Sequence, residues 1–251
     1  MEWKTRIILG SLLIFGILEI IFPFYNFKGN WLKRVGNNFT LALINAIAMS
    51  FITKALLFQA ANNHLYSPKI LQLVNDAGIV GILAILIIDL YMYFWHRLMH
   101  DWAIGWNFHR VHHTDREMNI STAYRFHFIE IFASNLPKIF LIWILGIKIE
   151  WSLIYEILFA INVIFHHSNW HLSANIDKFL SYIIVTPNYH RLHHSQIIIE
   201  TNSNYGSLLT IWDKIFQTYR YNNQPETIKL GLIEDQQNLR ILDLLKIPFR
   251  S

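Results

Sequence analysis

Between Phe128 and Phe165 the chain reads FIEIFASNLPKIFLIWILGIKIEWSLIYEILFAINVIF, 38 mostly apolar residues with Gly146 near the middle. Divided at the glycine, the stretch gives two arms of about 19 residues, each roughly 28 Å long at helical rise and so close to a bilayer's hydrocarbon thickness. The Gly146-Ile147-Lys148 turn between them predicts a membrane hairpin. Pro137 lies inside the first arm, where a kink is expected. A hairpin returns the chain to the side it left, so the segments flanking it meet. Both flanks are rich in histidine: HRVHH at 109–113 before it, HHSNWH at 166–171 and HRLHH at 190–194 after it.

Three more apolar runs lie upstream. Ile7 to Phe24 is broken only by Ser11 and Glu19, Ala77 to Trp95 only by Asp89, and Phe39 to Ala61 by Asn45, Thr53, Lys54 and Gln59. The first has the basic flank of a signal peptide in Lys4 and Arg6, but its length, Glu19 and the lack of a small-residue cleavage site before Pro23 favour a retained anchor. The expected architecture is therefore all-α: an integral membrane protein of four to five passes with a cytoplasmic, histidine-rich helical cap. Residues 1–76 form its N-terminal membrane region, 77–221 the histidine-bearing region including hairpin 128–165, and 222–251 a C-terminal cytoplasmic tail, all within a single domain. A surface helix is expected from Asn238 to Phe249, and an amphipathic interfacial helix after Trp212.

Composition agrees with a membrane protein. Hydrophobic residues make up 53% of the 251 and charged ones 15%, against about a quarter charged in a soluble domain. With a mean hydropathy of +0.29, disorder and a highly charged coiled coil are both excluded. Cysteine is absent, which excludes disulfides, iron–sulfur clusters, thiolate zinc sites and a cysteine nucleophile. Thirteen histidines are then the available soft-metal ligands. Five passes starting outside put Lys28, Lys33, Arg34, Arg97, Arg110, Arg116, Arg125 and the eight basic residues after the hairpin on one side. Lys4, Arg6, Lys69 and Lys148 fall on the other, and positive-inside logic makes the richer side cytoplasmic. Lys4 and Arg6 run against that rule, leaving a peripheral first segment as the alternative. The pI near 9.2 reads as inner-leaflet contact, not as nucleic-acid binding.

The histidines fall into four groups: His96 and His100 in HRLMH; His109, His112 and His113; His166, His167 and His171; and His190, His193 and His194. Residues at i, i+3 and i+4 share a helical face, so each group aims its imidazoles one way. Imidazole suits zinc, iron, copper and nickel, and is a poor ligand for calcium or magnesium. Eight to eleven imidazoles exceed one tetrahedral ion, so two metals are the economical reading. His166 points about 100° from His167 on a helix and reads as packing or a hydrogen-bonding neighbour. His64, in the polar loop NNHLYSP, reads as a surface residue.

HxxxH, HxxHH and a distant second HxxHH resemble the eight-histidine signature of the fatty acid hydroxylase/sterol desaturase superfamily. FHRVHHTDREMNISTAYRFHFIE is similar to that family's stretch around its second box, with Asn119, Thr122, Arg125, His127 and Glu130 in the expected places. FHHSN, TPNYHRLHHS, NYGSLLTIWDKIFQTY and the closing IPFR resemble its downstream elements, so the likeness runs from about residue 85 to the C-terminus. Two positions depart from the pattern: His171 stands where many bacterial members carry a basic residue, and Gln217 where glycine is usual.

The resemblance implies a membrane di-iron oxygenase that hydroxylates or desaturates an unactivated C–H bond of a lipid with O₂. It implies two iron ions, with zinc as an alternative occupant in purified protein, held by His96, His100, His109, His112, His113, His167, His171, His190, His193 and His194. Its substrates would be fatty acyl, sterol, ether lipid or carotenoid. With no room for a fused haem domain, electrons are expected from a separate donor protein, and the site from the cytoplasmic face of a bacterial inner membrane.

Asp89 shares the face of His96 and His100, and Glu130 follows His127 by three. Asp89, His127 and Glu130 are therefore candidates to hydrogen-bond ligand imidazoles, with His127 alternatively an extra ligand, against the alternative of structural contacts within the bundle. Glu19, Lys54 and Glu156 read as snorkelling or bundle hydrogen bonds. Asn204-Tyr205-Gly206 and Trp212-Asp213 read as structural. Three rival functions remain: a zinc hydrolase, which lacks the HExxH pairing it would want; a bis-histidine haem carrier; and a metal-binding protein without catalysis.

Overall fold

The computed structural model describes residues 2–27, 30–62, 76–234 and 239–250, without the side chains of Glu2 and of residues 52–62. His64, Lys28, Lys69, Asn238 and the side chain of Lys54 lie outside the described residues. The regular structure described is helical: α1 (Glu2–Ile21), α2 (Trp31–Asn62), α3 (Ala77–Asp101), α4 (Ala103–His113), α5 (Phe128–Leu145), α6 (Ile149–His167), α7 (Ala174–Leu180), α8 (Pro187–His193), α9 (Ile198–Thr201), α10 (Ile211–Ile215) and α11 (Ile241–Lys246). Short 3₁₀ turns cover Ile120–Tyr124, Pro225–Thr227 and Ile247–Phe249.

Helices α3, α5 and α6 are long and apolar enough to cross a membrane. Helix α1 is also 20 residues long but carries Lys4, Arg6 and Glu19 within it. Asp76 starts α3 by accepting the Ile79 N–H at 2.9 Å. Helix α5 runs unbroken through Pro137 and ends at Gly146, whose φ of +66° lets the Ile147 N–H close onto the Ile142 carbonyl at 3.0 Å. A left-handed residue after the last turn is the usual way a helix satisfies its final carbonyls, and glycine adopts it without a Cβ clash. The chain then reverses into α6.

The hairpin is built inside out relative to a soluble helix pair. The buried residues of α5 are Glu130, Ser134 and Lys138, one polar stripe at i, i+4 and i+8. Phe132, Leu136 and Phe140 face outward instead. Outward apolar and inward polar side chains suit a helix whose surroundings are hydrocarbon. Behind the hairpin, Val80, Ala84 and Ile88 of α3 pack with Tyr155 of α6. Gly81 permits this approach, because a Cβ there would lie 2.5 Å from the Trp151 ring.

Polar ties hold the cap to the bundle. Glu19, at the end of α1, accepts the N–H groups of Ile120 and Asn169, each at 3.0 Å. Asp115 accepts from Asn38 of α2 and from Thr122, while Arg125 donates to the Asn38 and Thr114 oxygens. The C-terminal segment does not lie free on the surface: Leu244 of α11 and Ile247 are buried against Leu41 and Val111. Its helix is confined to 241–246, followed by the 3₁₀ turn that contains Pro248.

Candidate metal centre

Four helix ends converge at one end of the hairpin. The last two turns of α3 bring His96 and His100, the last turn of α4 brings His109, His112 and His113, the end of α6 brings His167, and α8 with its C-cap brings His190, His193 and His194. These nine imidazoles form two groups. His96, His100, His109, His113 and His193 make one; His112, His167, His190 and His194 make the other, and within each the nearest ring nitrogens all lie within 4.8 Å of one another. His113 and His194 stack between the groups with ring centroids 4.4 Å apart.

Outer contacts settle which nitrogen faces inward. In the first group His96 Nδ1 donates to the Tyr205 carbonyl at 2.9 Å, His109 Nδ1 to Glu130 Oε1 at 2.7 Å, and His193 Nδ1 to the Ser203 carbonyl at 2.7 Å. His100 Nδ1 faces Asn202 Oδ1 at 3.3 Å. These acceptors can only receive, so each Nδ1 carries the proton and each Nε2 is left with a lone pair. The Nε2 atoms of His96 and His109 then face each other at 3.1 Å. Two lone pairs at that distance repel unless a cation lies against both.

The second group repeats the pattern with fewer outer contacts. His167 Nδ1 donates to the Val163 carbonyl at 2.8 Å, and its Nε2 lies 3.0 Å from His112 Nε2 and 3.1 Å from His190 Nε2. His190 Nε2 is also 3.1 Å from His194 Nε2. Among the described residues the buried Nε2 atoms of His100, His113 and His193 have no hydrogen-bond partner, and neither do the Nδ1 atoms of His112, His113, His190 and His194. Orphaned buried nitrogens are rare and carry a desolvation penalty of about 1–3 kcal/mol each. Burial, reinforced by the neighbouring imidazoles, lowers the pKa of His112, His113, His190, His193 and His194 well below the ordinary value. Neutral, inward-facing imidazoles are the donors that borderline cations require, so the residues fit a two-metal site.

The other candidate residues are placed differently. His171, expected among the ligands, is exposed and belongs to neither group: its backbone N–H donates to the Phe22 carbonyl at 2.8 Å and its ring lies against Phe24. The sharp turn after His167 carries it away from the convergence point. His166 lies beside His190, with Asn162 Nδ2 3.3 Å from its Nδ1. His127 caps α5 by accepting the Ile129 N–H at 3.3 Å and packs on Phe108. Asp89 is fully buried but meets no histidine: it accepts from Tyr155 Oη, the Leu209 N–H and Trp212 Nε1. It thus ties α3 to α6 and to the segment after Gly206. Of the three carboxylate and histidine candidates around the centre, Glu130 is the one bonded to a clustered imidazole.

Sequence reasoning missed the acceptors supplied by residues 202–205. Asn202, Ser203 and Tyr205 orient three of the five imidazoles in the first group. Asn204, at φ +58°, and Asp213, which accepts the Tyr205 and Gly206 N–H groups, hold that strip in shape. The signal was present in NSNYG, where small and amide side chains favour turns; its target was not, because two of the three acceptors are backbone carbonyls.

A cavity of about 230 Å³ opens from the imidazoles into the space between α3, α5 and α6. His96, His109, His112, His167 and His190 form one end, and Met92, Trp95, Phe126, Phe159 and Val163 give it apolar walls. The arrangement sets a candidate two-metal site against a largely apolar chamber between α3, α5 and α6.

Comparison with known proteins agrees with this geometry. A family model described as fatty acid hydroxylase matches residues 81–218. The chain is 27% identical to an ornithine lipid hydroxylase of Rhizobium tropici over 246 residues, covering 92% of this chain and 71% of that protein. It is 31% identical to alkylglycerol monooxygenase of Homo sapiens over 56% of this chain and 31% of that protein, and 32% identical to the Danio rerio enzyme over 64% and 34%. No solved structure matches the chain. By the extent of the family match and the histidine geometry beneath it, the chain belongs to the fatty acid hydroxylase family.

Proposed function

We propose that the protein is a membrane di-iron oxygenase that hydroxylates, or desaturates, an unactivated C–H bond of a lipid. The observation that carries the reading is the pair of Nε2 lone pairs of His96 and His109 facing each other at the mouth of an apolar chamber. His96, His100, His109, His113 and His193 would hold one iron, and His112, His167, His190 and His194 the other. When bound, the metals supply the activation of O₂ and the oxidation of the C–H bond. Hydroxylation takes one O₂, two electrons and two protons for each alcohol and water formed; the electrons come from a separate donor protein.

The chain's own residues do the rest. Glu130, Asn202, Ser203 and Tyr205 lock ring orientation, so the donors are organised before metal arrives. Trp95, Phe126 and Phe159 line the chamber, receive apolar substrate and exclude water from it. On this reading the chamber lies within the bilayer, and lipid enters it sideways. Excess basic charge beyond the hairpin orients the site to the cytoplasmic face of a bacterial inner membrane. Ornithine lipids and alkylglycerols, named for two relatives, join fatty acyl chains, sterols and carotenoids as substrate candidates.

The test is metal analysis combined with lipid analysis. Protein purified with iron present should hold close to two irons per chain and, given reductant and ¹⁸O₂, should add one labelled oxygen to a membrane lipid. Fewer than one metal per chain in active enzyme would sink the dinuclear site. Fully loaded protein that leaves every lipid unchanged would favour metal binding without catalysis.

A further inference from the structure

A second cavity reaches the imidazoles and is used by nothing described above. It measures about 340 Å³ and shares no lining residue with the chamber. His100 and Trp106 line it beside Ser195, Gln196, Thr201 and Asn202. Asn202 and Glu234, which also line it, are exposed, so this cleft opens to the surface. His100 is the one clustered imidazole on the cleft, and it takes no part in the chamber wall. Its residue is 9% exposed, whereas the other clustered histidines, His96 apart, are 2% exposed or less. His96 lines the chamber. The first histidine group is therefore reached from two sides, at His96 from the chamber and at His100 from the cleft.

The chemistry of the two openings differs. A hydrated cation passing between apolar walls loses water without replacement, at a cost of several kcal/mol. The chamber walls are largely apolar, and its two carboxylates are already paired, Glu130 with His109 and Glu156 with Lys138. The cleft offers hydroxyl and amide groups, and Glu234 is the single charged residue among those lining it. A carboxylate at a cleft raises the local concentration of cations. The outer contacts differ in the same sense. His96 and His193 are held by backbone carbonyls, and His109 by buried Glu130. His100 Nδ1 faces Asn202 Oδ1 at 3.3 Å, the longest of these contacts and the one made by an exposed side chain. Turning the His100 ring toward the cleft breaks no backbone hydrogen bond.

We propose that this cleft is the port through which a divalent metal ion enters and leaves the first histidine group, with Glu234 attracting the ion and His100 the ligand that meets it. His100 Nε2, buried and without a partner among the described residues, is the first imidazole nitrogen on that path. Asn202 is the positioning residue that returns the ring inward once the ion has passed. Metal traffic and apolar substrate then use separate openings. The proposal rests on the two-metal reading of the histidine groups and on no claim about lipid oxidation.

The chain has no cysteine, so one can be introduced and blocked selectively. Ile198 lines the cleft and is 77% exposed; Ile183 is 60% exposed and lies off it. Full-length Ile198→Cys and Ile183→Cys proteins in detergent are stripped with chelator, labelled with a bulky methanethiosulfonate, and mixed with Co²⁺ while its absorption is followed. Labelled Ile198→Cys is expected to fill at least one of its two metal equivalents roughly tenfold more slowly, with the same final stoichiometry. Labelling after loading should slow release to a chelator similarly. Labelled Ile183→Cys should behave as wild type, and removing the label with a phosphine should restore the Ile198→Cys rate. Glu234→Lys should slow uptake about threefold or more at low salt, with the difference fading at high salt. Uptake and release unchanged by the Ile198 label overturn the port, as does slowing that persists after the label is removed. Stripped wild-type protein that takes up no metal at all would instead overturn the two-metal reading, and the port with it.

Discussion

The carboxylate of Glu130 accepts the Nδ1 proton of His109 at 2.7 Å, with both side chains buried. That contact fixes the His109 tautomer and turns its Nε2 toward His96. It joins the start of the hairpin to the histidine-rich face of the cap. Glu130→Ala is expected to lose about 10- to 100-fold in metal affinity, the usual effect of removing such a partner, with Glu130→Gln intermediate. Iron retained during dialysis against a graded chelator measures this. Wild-type retention in Glu130→Ala would mean that the ring is oriented by other contacts.

Histidines within the two groups and those outside should separate sharply. His112→Ala and His193→Ala are each expected to abolish turnover and lower bound iron, while the protein still inserts. His171→Ala is expected to stay within about twofold of wild type in both respects, since its ring lies on Phe24 away from either group. Activity and iron content of membrane-extracted protein decide the matter. Loss of iron in His171→Ala would return that residue to the ligand set.

Metal-free protein should lose stability as pH falls. His112, His113, His190, His193 and His194 have pKa values lowered from 6.5 by burial. Below about pH 6.5 the unfolded chain binds protons that the folded chain resists, so acid favours unfolding. The Tm of chelator-treated protein is expected to drop between pH 7.5 and 5.5, and the iron-loaded form to shed metal over the same range. A flat apoprotein profile would contradict the neutral, buried assignment.

The backbone of Gln217 has a φ of +59°. A left-handed conformation disfavours a residue with a Cβ by about 1–2 kcal/mol, partly offset by the greater unfolded-state freedom of glycine. Gln217→Gly is therefore expected to raise stability by roughly 0.5–1 kcal/mol with unchanged metal content. Thermal melts of the two proteins in one detergent test it, and an unchanged or lower Tm would refute the strain.

Asp89 bonds three donors and no imidazole, so its loss should resemble a packing defect. Asp89→Ala leaves Tyr155, Trp212 and the Leu209 N–H without their acceptor, and buried unpaired donors cost about 1–3 kcal/mol each. A lower folded yield is expected, with normal iron stoichiometry in the fraction that folds. A selective loss of iron would place Asp89 in the metal's environment instead.

Much of this architecture is written in local pattern. Helical spacing puts His96 with His100, and His109 with His112 and His113, on shared faces, and Gly146 marks the reversal that brings His167 and His190 back to them. Those features need only chain stereochemistry and the bilayer's demand for apolar, internally bonded segments, both readable within a few residues. Other assignments rested on contacts across long stretches of chain. Asp89 shares the helical face of two clustered histidines yet bonds Tyr155 and Trp212, because the packing of α3 on α6 decides its neighbours. His171 follows His167 by four, but the helix ends at His167 and the spacing loses its meaning there. The inward nitrogen of His96 depends on a carbonyl 109 positions away, and Glu156 found its partner in Lys138 only when the hairpin closed. Residue order specified helices, faces and the turn between them. Folding alone selected the tautomers, the division into two groups and the pairing of Lys138 with Glu156, since each depends on atoms that only the closed structure brings within hydrogen-bonding reach.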